Sequence, residues 1–410
     1  MARFAERPRS VDPGGRRRRL VGLALAAVLW LAVSPVEASG DLPYAGWFHV
    51  GQEVTATWLV RGVAGDPYHV VIRRRSPDPR AAEKRVVVFY PRPSSAYDTA
   101  MTKILEVFAD KNVGAVFDVF NFRKDGARGR ELLAWAEKQG IGLIFSMGSE
   151  STAWLYANYL GGAIPVVSVC SKDPVVLGQA RDYDVGSGSN FAFTSLNMPI
   201  EAQMAYVHEL KPRLKNIGLL VDAKNVSAVQ TQAKPMVEFA RQRGLRILYL
   251  AVENPANARA ELSRLVPEAV TAMRKNDPDL DNSIFWITGS TAVFREIATI
   301  NAFADRVPVV SVAPELVRPG ADSTVLSVGI SFQSNAHLAA VYGADVLAGR
   351  VAAGDLPVGV VSPPDIAINF LKAREIGLRI PFSFIESASF IYDYEGRQVR
   401  ANGKSLAQTD

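Results

Sequence analysis

Cysteine is nearly absent from this chain. Cys170 stands alone among 410 residues, so no internal disulfide can form and the fold must rest on a hydrophobic core. Histidine is scarce too. His49, His69, His208 and His337 are scattered, none in a metal-ligating spacing such as HExxH, and neither a metal nor another cofactor is expected. Long apolar runs are equally rare. The one that stands out, Leu20–Val33, is too short for a comfortable membrane span.

That run explains another absence, a net charge of one sign. Arg16 to Arg19 precede it and "SPVEASG" follows, which together give a charged start, an apolar middle and a small-residue cleavage pattern. Residues 1–38 therefore read as a signal peptide cut after Ala38, with an uncleaved anchor as the alternative. The Arg17-Arg18 pair leaves the twin-arginine route open beside the general one. No cysteine sits at the end of this leader, which excludes lipid anchoring there. Seven of the 46 basic and three of the 41 acidic side chains lie in the leader, leaving 39 against 38. A nearly neutral mature chain has no broad positive field for nucleic acid. Arg73-Arg74-Arg75 reads as a solvated face.

What is present is a pattern written twice. From Lys84, "RVVVFY", "AVFDVF", "IGLIFSM" and "IPVVSVC" read as buried parallel strands, separated by helical stripes such as Met101, Ile104, Leu105 and Phe108. From Lys215, "NIGLLVD", "LRILYLAV", "SIFWIT" and "VPVVSVAPE" repeat the series, with Ala233, Met236, Val237 and Ala240 as one helical stripe. The punctuation repeats as well. Gly148-Ser149 recurs 141 positions on as Gly289-Ser290, and Pro165–Val169 recurs 143 positions on as Pro308–Val312. Two similar βαβ lobes account for both matches.

In such lobes the strands' carboxyl ends and the helix N-termini share one edge, where ligands bind. The polar breaks at those ends are Pro93 to Tyr97, Gly148 to Ser151 and Cys170 to Asp173 in the first half. In the second half they are Asp222 to Asn225, Gly289 to Thr291 and Ala313 to Glu315. Ser95 with Asp98, or Ser149 with Thr152, can equally be helix caps. "DYDVGSGSNFAF" (182–193) reads as a flexible crossing between lobes; its glycines do not open a helix after a strand, so it is no dinucleotide fingerprint. With "VLSVGISF" and "PPDIAINF" it would form a hinge that closes like a clamp.

The closing segment "INFLKAREIGLRIP" (368–381), the stretch "IPVVSV…SKDP" and the tandem lobes behind a leader resemble the periplasmic substrate-binding proteins of ABC importers. The likeness is to the type I binding fold, in the subfamily linked to aromatic amino acids, and covers roughly residues 84–390. It implies an α/β fold of two Rossmann-like lobes joined by a multi-strand hinge. Lobe 1 would comprise 84–193 plus 331–362, and lobe 2 would comprise 194–330 plus 363–390. Residues 39–83 would be an extension of unknown role and 391–410 a tail. The resemblance also implies a ligand met by Ser94, Ser95, Ser149, Glu150, Ser171, Lys172 and Asp173 from the first lobe. Asp222, Asn225, Ser290, Thr291 and Glu315 would meet it from the second. Relatives often carry Thr-Asp-Pro where this chain has Ser171-Lys172-Asp173-Pro174, and Asn-Pro near Asp222-Ala223. Both departures bear on ligand identity.

The expected protein is a periplasmic monomer that captures an amino acid or related carboxylate and hands it to a membrane ABC permease. Cys170, Lys172 and Asp173 could instead form a nucleophile with a base and an acid. No histidine lies nearby in sequence, however, and the matching strand has Ala313 in place of the cysteine. An exported two-lobed enzyme such as a glycosyltransferase, using Glu150 or Glu315 as acid or base, and a sensor docking on a membrane receptor are the alternatives. A transcription regulator is disfavoured because a leader, not a helix-turn-helix, begins the chain.

Overall fold

Strand Lys84–Tyr90 shows how the sequence builds this fold. Val86, Val88 and Tyr90 enter one hydrophobic core while Val87 and Phe89 enter another on the opposite face. An unbroken apolar run is what a strand buried on both faces requires. The coordinates are a computed structural model that describes residues 44–76, 83–320 and 322–406. The leader and its cleavage point lie outside the described residues.

Among the described residues, seven strands form a first sheet. They are β1 (Trp58–Val63), β2 (Asp66–Arg74), β3 (Lys84–Tyr90), β4 (Ala115–Asn121), β5 (Leu143–Met147), β6 (Val166–Val169) and β7 (Phe191–Ala192). The spatial order is β1-β2-β4-β3-β5-β6-β7, parallel from β4 onward. After a short strand β8 (Thr194–Ser195), the second lobe runs through β9 (Asn216–Asp222), β10 (Arg246–Val252), β11 (Ser283–Ile287), β12 (Val309–Ser311) and β13 (Leu326–Gly329). These strands are parallel in the order β10-β9-β11-β12-β13. Each lobe thus has the doubly wound order 2-1-3-4-5, which places a ligand crevice at the strands' carboxyl ends.

The chain then returns to the first lobe. Helix Phe332–Leu347 buries Ala336, Ala339, Ala340 and Ala344 in the same core as Val86 and Phe145. Its small residues permit a close approach: a side chain on Gly343 would lie 2.4 Å from the Phe145 ring. Strand β14 (Gly359–Val360) pairs with β8 beside the first lobe's helix Phe332–Leu347, and β15 (Asp365–Asn369) rejoins the second sheet antiparallel to β13.

Several expectations need correction. Within the segment read as a tail, the described residues 391–406 belong to the second sheet: β16 (Phe390–Tyr392), β17 (Gln398–Ala401) and β18 (Lys404–Ser405) extend it, with Ile391 buried in its core. The extension before Lys84 is part of the first sheet. Its hairpin docks β2 antiparallel to β4, and His69 stacks on Phe120 while its Nε2 meets Asp118 Oδ1 at 3.0 Å. Arg74 is not solvated, because its guanidinium donates to the carbonyls of Phe108 and Ala109 at the end of helix Ser95–Asp110, where a cation suits the dipole. Val237 is exposed; a π-helical turn, Val229–Ala233, precedes helix Lys234–Gln242, whose buried stripe is Met236, Phe239 and Ala240. The loop at 182–190 stays with the first lobe rather than crossing: residues 182–185 are exposed, while Gly186 sits against the segment at Gly354. A side chain on Gly186 would lie 2.0 Å from the Gly354 carbonyl, and the crossing itself is the segment that holds β8.

Candidate ligand cleft

The two glycine-serine turns occupy equivalent places, just after β5 and β11. Gly148 needs its glycine twice over. Its φ is +76°, and a Cβ there would lie 2.1 Å from the Tyr97 hydroxyl. Gly289 is held by Gln232, whose Oε1 accepts its N–H at 2.6 Å, and by Asn225, whose Nδ2 donates to its carbonyl at 3.2 Å.

The loop tips of the two lobes touch. Arg92, between β3 and helix Ser95–Asp110, reaches Thr291 Oγ1 of the second lobe at 3.4 Å. The Lys172 ammonium lies where a Cβ on Gly289 would come within 2.3 Å of it. Asn197 joins the lobes behind them, accepting from Asp173 N at 3.1 Å and donating to Thr231 O at 3.1 Å.

Electrostatics divide the candidates. Glu150 is shared by Arg92, 2.8 Å away, and Lys124. Burial opposes its charge, yet the two cations hold its carboxyl below the usual range. Asp222 accepts from Ser290 Oγ at 3.0 Å and from Lys224 N at 3.0 Å; among the described residues no ion pair is made to it, although Arg92 lies close enough to feel its charge. Lys172 is 8% exposed, and burial lowers its pKa to about 8. Its backbone N–H donates to Ser149 Oγ at 2.9 Å.

Other candidates serve the scaffold. Asp173 caps the turn that follows it, accepting from Val175 N and Val176 N, and also from the Tyr183 hydroxyl. Asn225 caps the turn at Val226–Ala228 through Ala228 N. Ser94 is the N-cap of helix Ser95–Asp110 without a side-chain cap bond, and Ser95 is exposed. Ser171 is buried, its hydroxyl without a partner among the described residues. Glu315 is drawn to the hinge: its Oε1 accepts from Phe332 N, where the chain crosses back to the first lobe.

Arg92, Lys124, Asn197 and Gln232 are site neighbours that motif reading passed over. Arg92 had a usable signal, since it sits between two prolines at a strand end. Gln232 had none, because only the π turn brings it to Gly289. A depression of about 440 Å³ lined by Lys84, Gly114, Leu347 and Arg350 lies at the opposite, amino-terminal edge of the first sheet and contains none of these groups.

The family model for ABC transporter substrate-binding proteins matches residues 95–390, which takes in the second lobe's loop tips and all of the first lobe's except Arg92 to Ser94. The chain belongs to that family. A tyrosine-binding protein of Clostridioides difficile is 24% identical over 215 residues, 52% of this chain and 57% of that protein. The aligned region thus spans little more than half of this curated relative. Among solved structures, an ABC domain of Streptococcus pneumoniae in complex with L-Trp is 19% identical with a TM-score of 0.58, over 75% of this chain and all of that one. A conserved domain protein of Vibrio cholerae is 18% identical with a TM-score of 0.59, over 76% of this chain and all of that one. These likenesses establish the two-lobed type I binding fold for this member of the substrate-binding family.

Proposed function

We propose that this substrate-binding protein is exported, captures a small polar ligand between its lobes and delivers it to a membrane ABC permease. An amino acid or related carboxylate is the ligand class, with aromatic amino acids foremost. The observation that supports the reading is the meeting of Arg92 with Thr291 and of Lys172 with Gly289, which brings loop tips of both lobes into contact. The names of two relatives, one tyrosine-binding and one bound to L-Trp, support the aromatic class. Asp222, without an ion pair among the described residues, is suited to a ligand ammonium. The protein acts as a monomer in the periplasm, without its leader.

Catalysis is the weaker reading. Burial pushes the Cys170 thiol up, away from the thiolate that a nucleophile needs. Glu150 is held ionised by two cations, which suits neither a general acid nor a strong base.

A thermal-shift panel of amino acids, sugars and small carboxylates tests the proposal. A ligand at a hundredfold excess over its Kd should stabilise the fold by about 2.7 kcal/mol. Ser149→Ala and Ser290→Ala should each weaken the response to the best hit. A response unchanged in both variants would remove the site assignment, and turnover of a nucleotide sugar would favour the enzyme instead.

A further inference from the structure

Lys172 carries a charge that the contacts among the described residues do not explain. Its residue is more than nine-tenths buried, yet no ion pair or hydrogen bond of its ammonium exists among the described residues. Asp173, its neighbour in sequence, is committed to the turn at Val175-Val176 and to Tyr183. The nitrogen keeps a little contact with solvent, but an ammonium this far withdrawn from water is retained when something compensates it, and no described residue pairs with it.

The surroundings indicate what does. The side chain runs from the first lobe to the Gly289 turn of the second, so whatever it holds lies where the lobes meet. Gly289 does not adopt a left-handed conformation, so its lack of a side chain serves space: a Cβ would lie 2.3 Å from the Lys172 nitrogen. Ser149 Oγ accepts the Lys172 backbone N–H, and its own hydroxyl hydrogen is donated to no described residue. An ammonium and a spare hydroxyl hydrogen are donors only, which suits an oxyanion.

We propose that Lys172 is the specificity-determining anchor for a carboxylate of the ligand, which it receives beside Ser149 and the Gly289-Ser290 turn. This rests on the reading of the cleft as a ligand site and adds which ligand group it demands. The depressed pKa follows from the same uncompensated burial.

Four probes separate the ligand's charges: L-tyrosine, L-tyrosinamide, 3-(4-hydroxyphenyl)propionate and tyramine. Titration calorimetry on the wild-type protein should show the two carboxylates binding at least about tenfold more tightly than tyrosinamide and tyramine, which lack the carboxylate. Lys172→Met should lose at least about tenfold for the carboxylates and change little for tyrosinamide. Gly289→Ala, which displaces the ammonium, should act in the same direction. The ligand-free Lys172→Met protein should melt at a higher temperature than wild type, because it no longer buries a lone charge.

Equal binding of L-tyrosine and tyrosinamide by the wild type would overturn the inference while leaving a ligand cleft in place. Carboxylate binding undiminished in Lys172→Met would do the same. A ligand-free Lys172→Met that melts lower, with no probe bound by the wild type, would overturn both this inference and the aromatic amino acid reading.

Discussion

Glu315 accepts the Phe332 N–H at the return crossing, and Asp365 accepts the neighbouring Ser331 N–H at 3.0 Å. Burial raises the Glu315 pKa from 4.5 to about 7, with Asp365 adding to the rise against the N–H donors of Phe332 and Gln333. The folded protein therefore keeps a proton that the unfolded chain has already released. That contribution is complete below about pH 4.5 and is lost as pH rises through about 7. Glu315→Gln keeps an acceptor for Phe332 and cannot titrate. Wild-type stability in urea should fall relative to this variant between those pH values, and parallel profiles would show that Glu315 carries no such linkage. Gly148 and Gly289 differ at the same scale. The first answers to backbone conformation and to Tyr97, whereas the second answers to a flexible ammonium that can retreat.

The amino-terminal hairpin is an element whose role only its packing reveals. Trp58 is 1% exposed, donates through Nε1 to the Leu105 carbonyl at 3.1 Å and lies edge-on to Phe117. Arg85 reaches the buried Asp118 at 2.7 Å from the strand alongside, so Asp118 joins His69 of the hairpin to the parallel core. Truncating such a tryptophan costs about 3–5 kcal/mol. Trp58→Ala should lower the urea midpoint accordingly with little change in slope. A change below about 0.5 kcal/mol, the size of ordinary surface substitutions, would mean that the hairpin is an appendage after all.

Across the whole molecule, Asn335 is the knot of the hinge. Its Oδ1 accepts from Cys170 N at 2.7 Å and from Thr194 Oγ1 at 3.2 Å, while its Nδ2 donates to Ser195 O at 3.1 Å. One buried side chain thereby binds a loop tip, the outward crossing and the return helix. It also holds Cys170 at φ +53°, a conformation that favours glycine or asparagine. Asn335→Ala leaves those backbone groups unpaired, and each should cost about 1–3 kcal/mol in denaturant unfolding. An unaltered unfolding midpoint would show that the crossings do not depend on this residue.

The repeated strands and the paired Gly-Ser turns were legible because burial on both faces demands continuous apolar runs, and chain reversal at a strand end demands small residues. From these the sequence by itself determined two doubly wound lobes and the edge at which their loops collect. Tertiary structure alone decided which polar residues in those loops are engaged by the scaffold and which are left near the meeting of the lobes. Ser95, Asp173, Asn225 and Glu315 look no different in sequence from Ser149, Lys172 and Ser290, since capping a turn and meeting a ligand use the same chemistry. Asp173 is taken by its own turn, whereas only contacts distant in sequence assign Glu315 to a hinge and Lys172 to a position opposite Gly289 without a described partner. The physical reason is that a hydrogen bond's partner is chosen by distance in space, which local sequence does not encode.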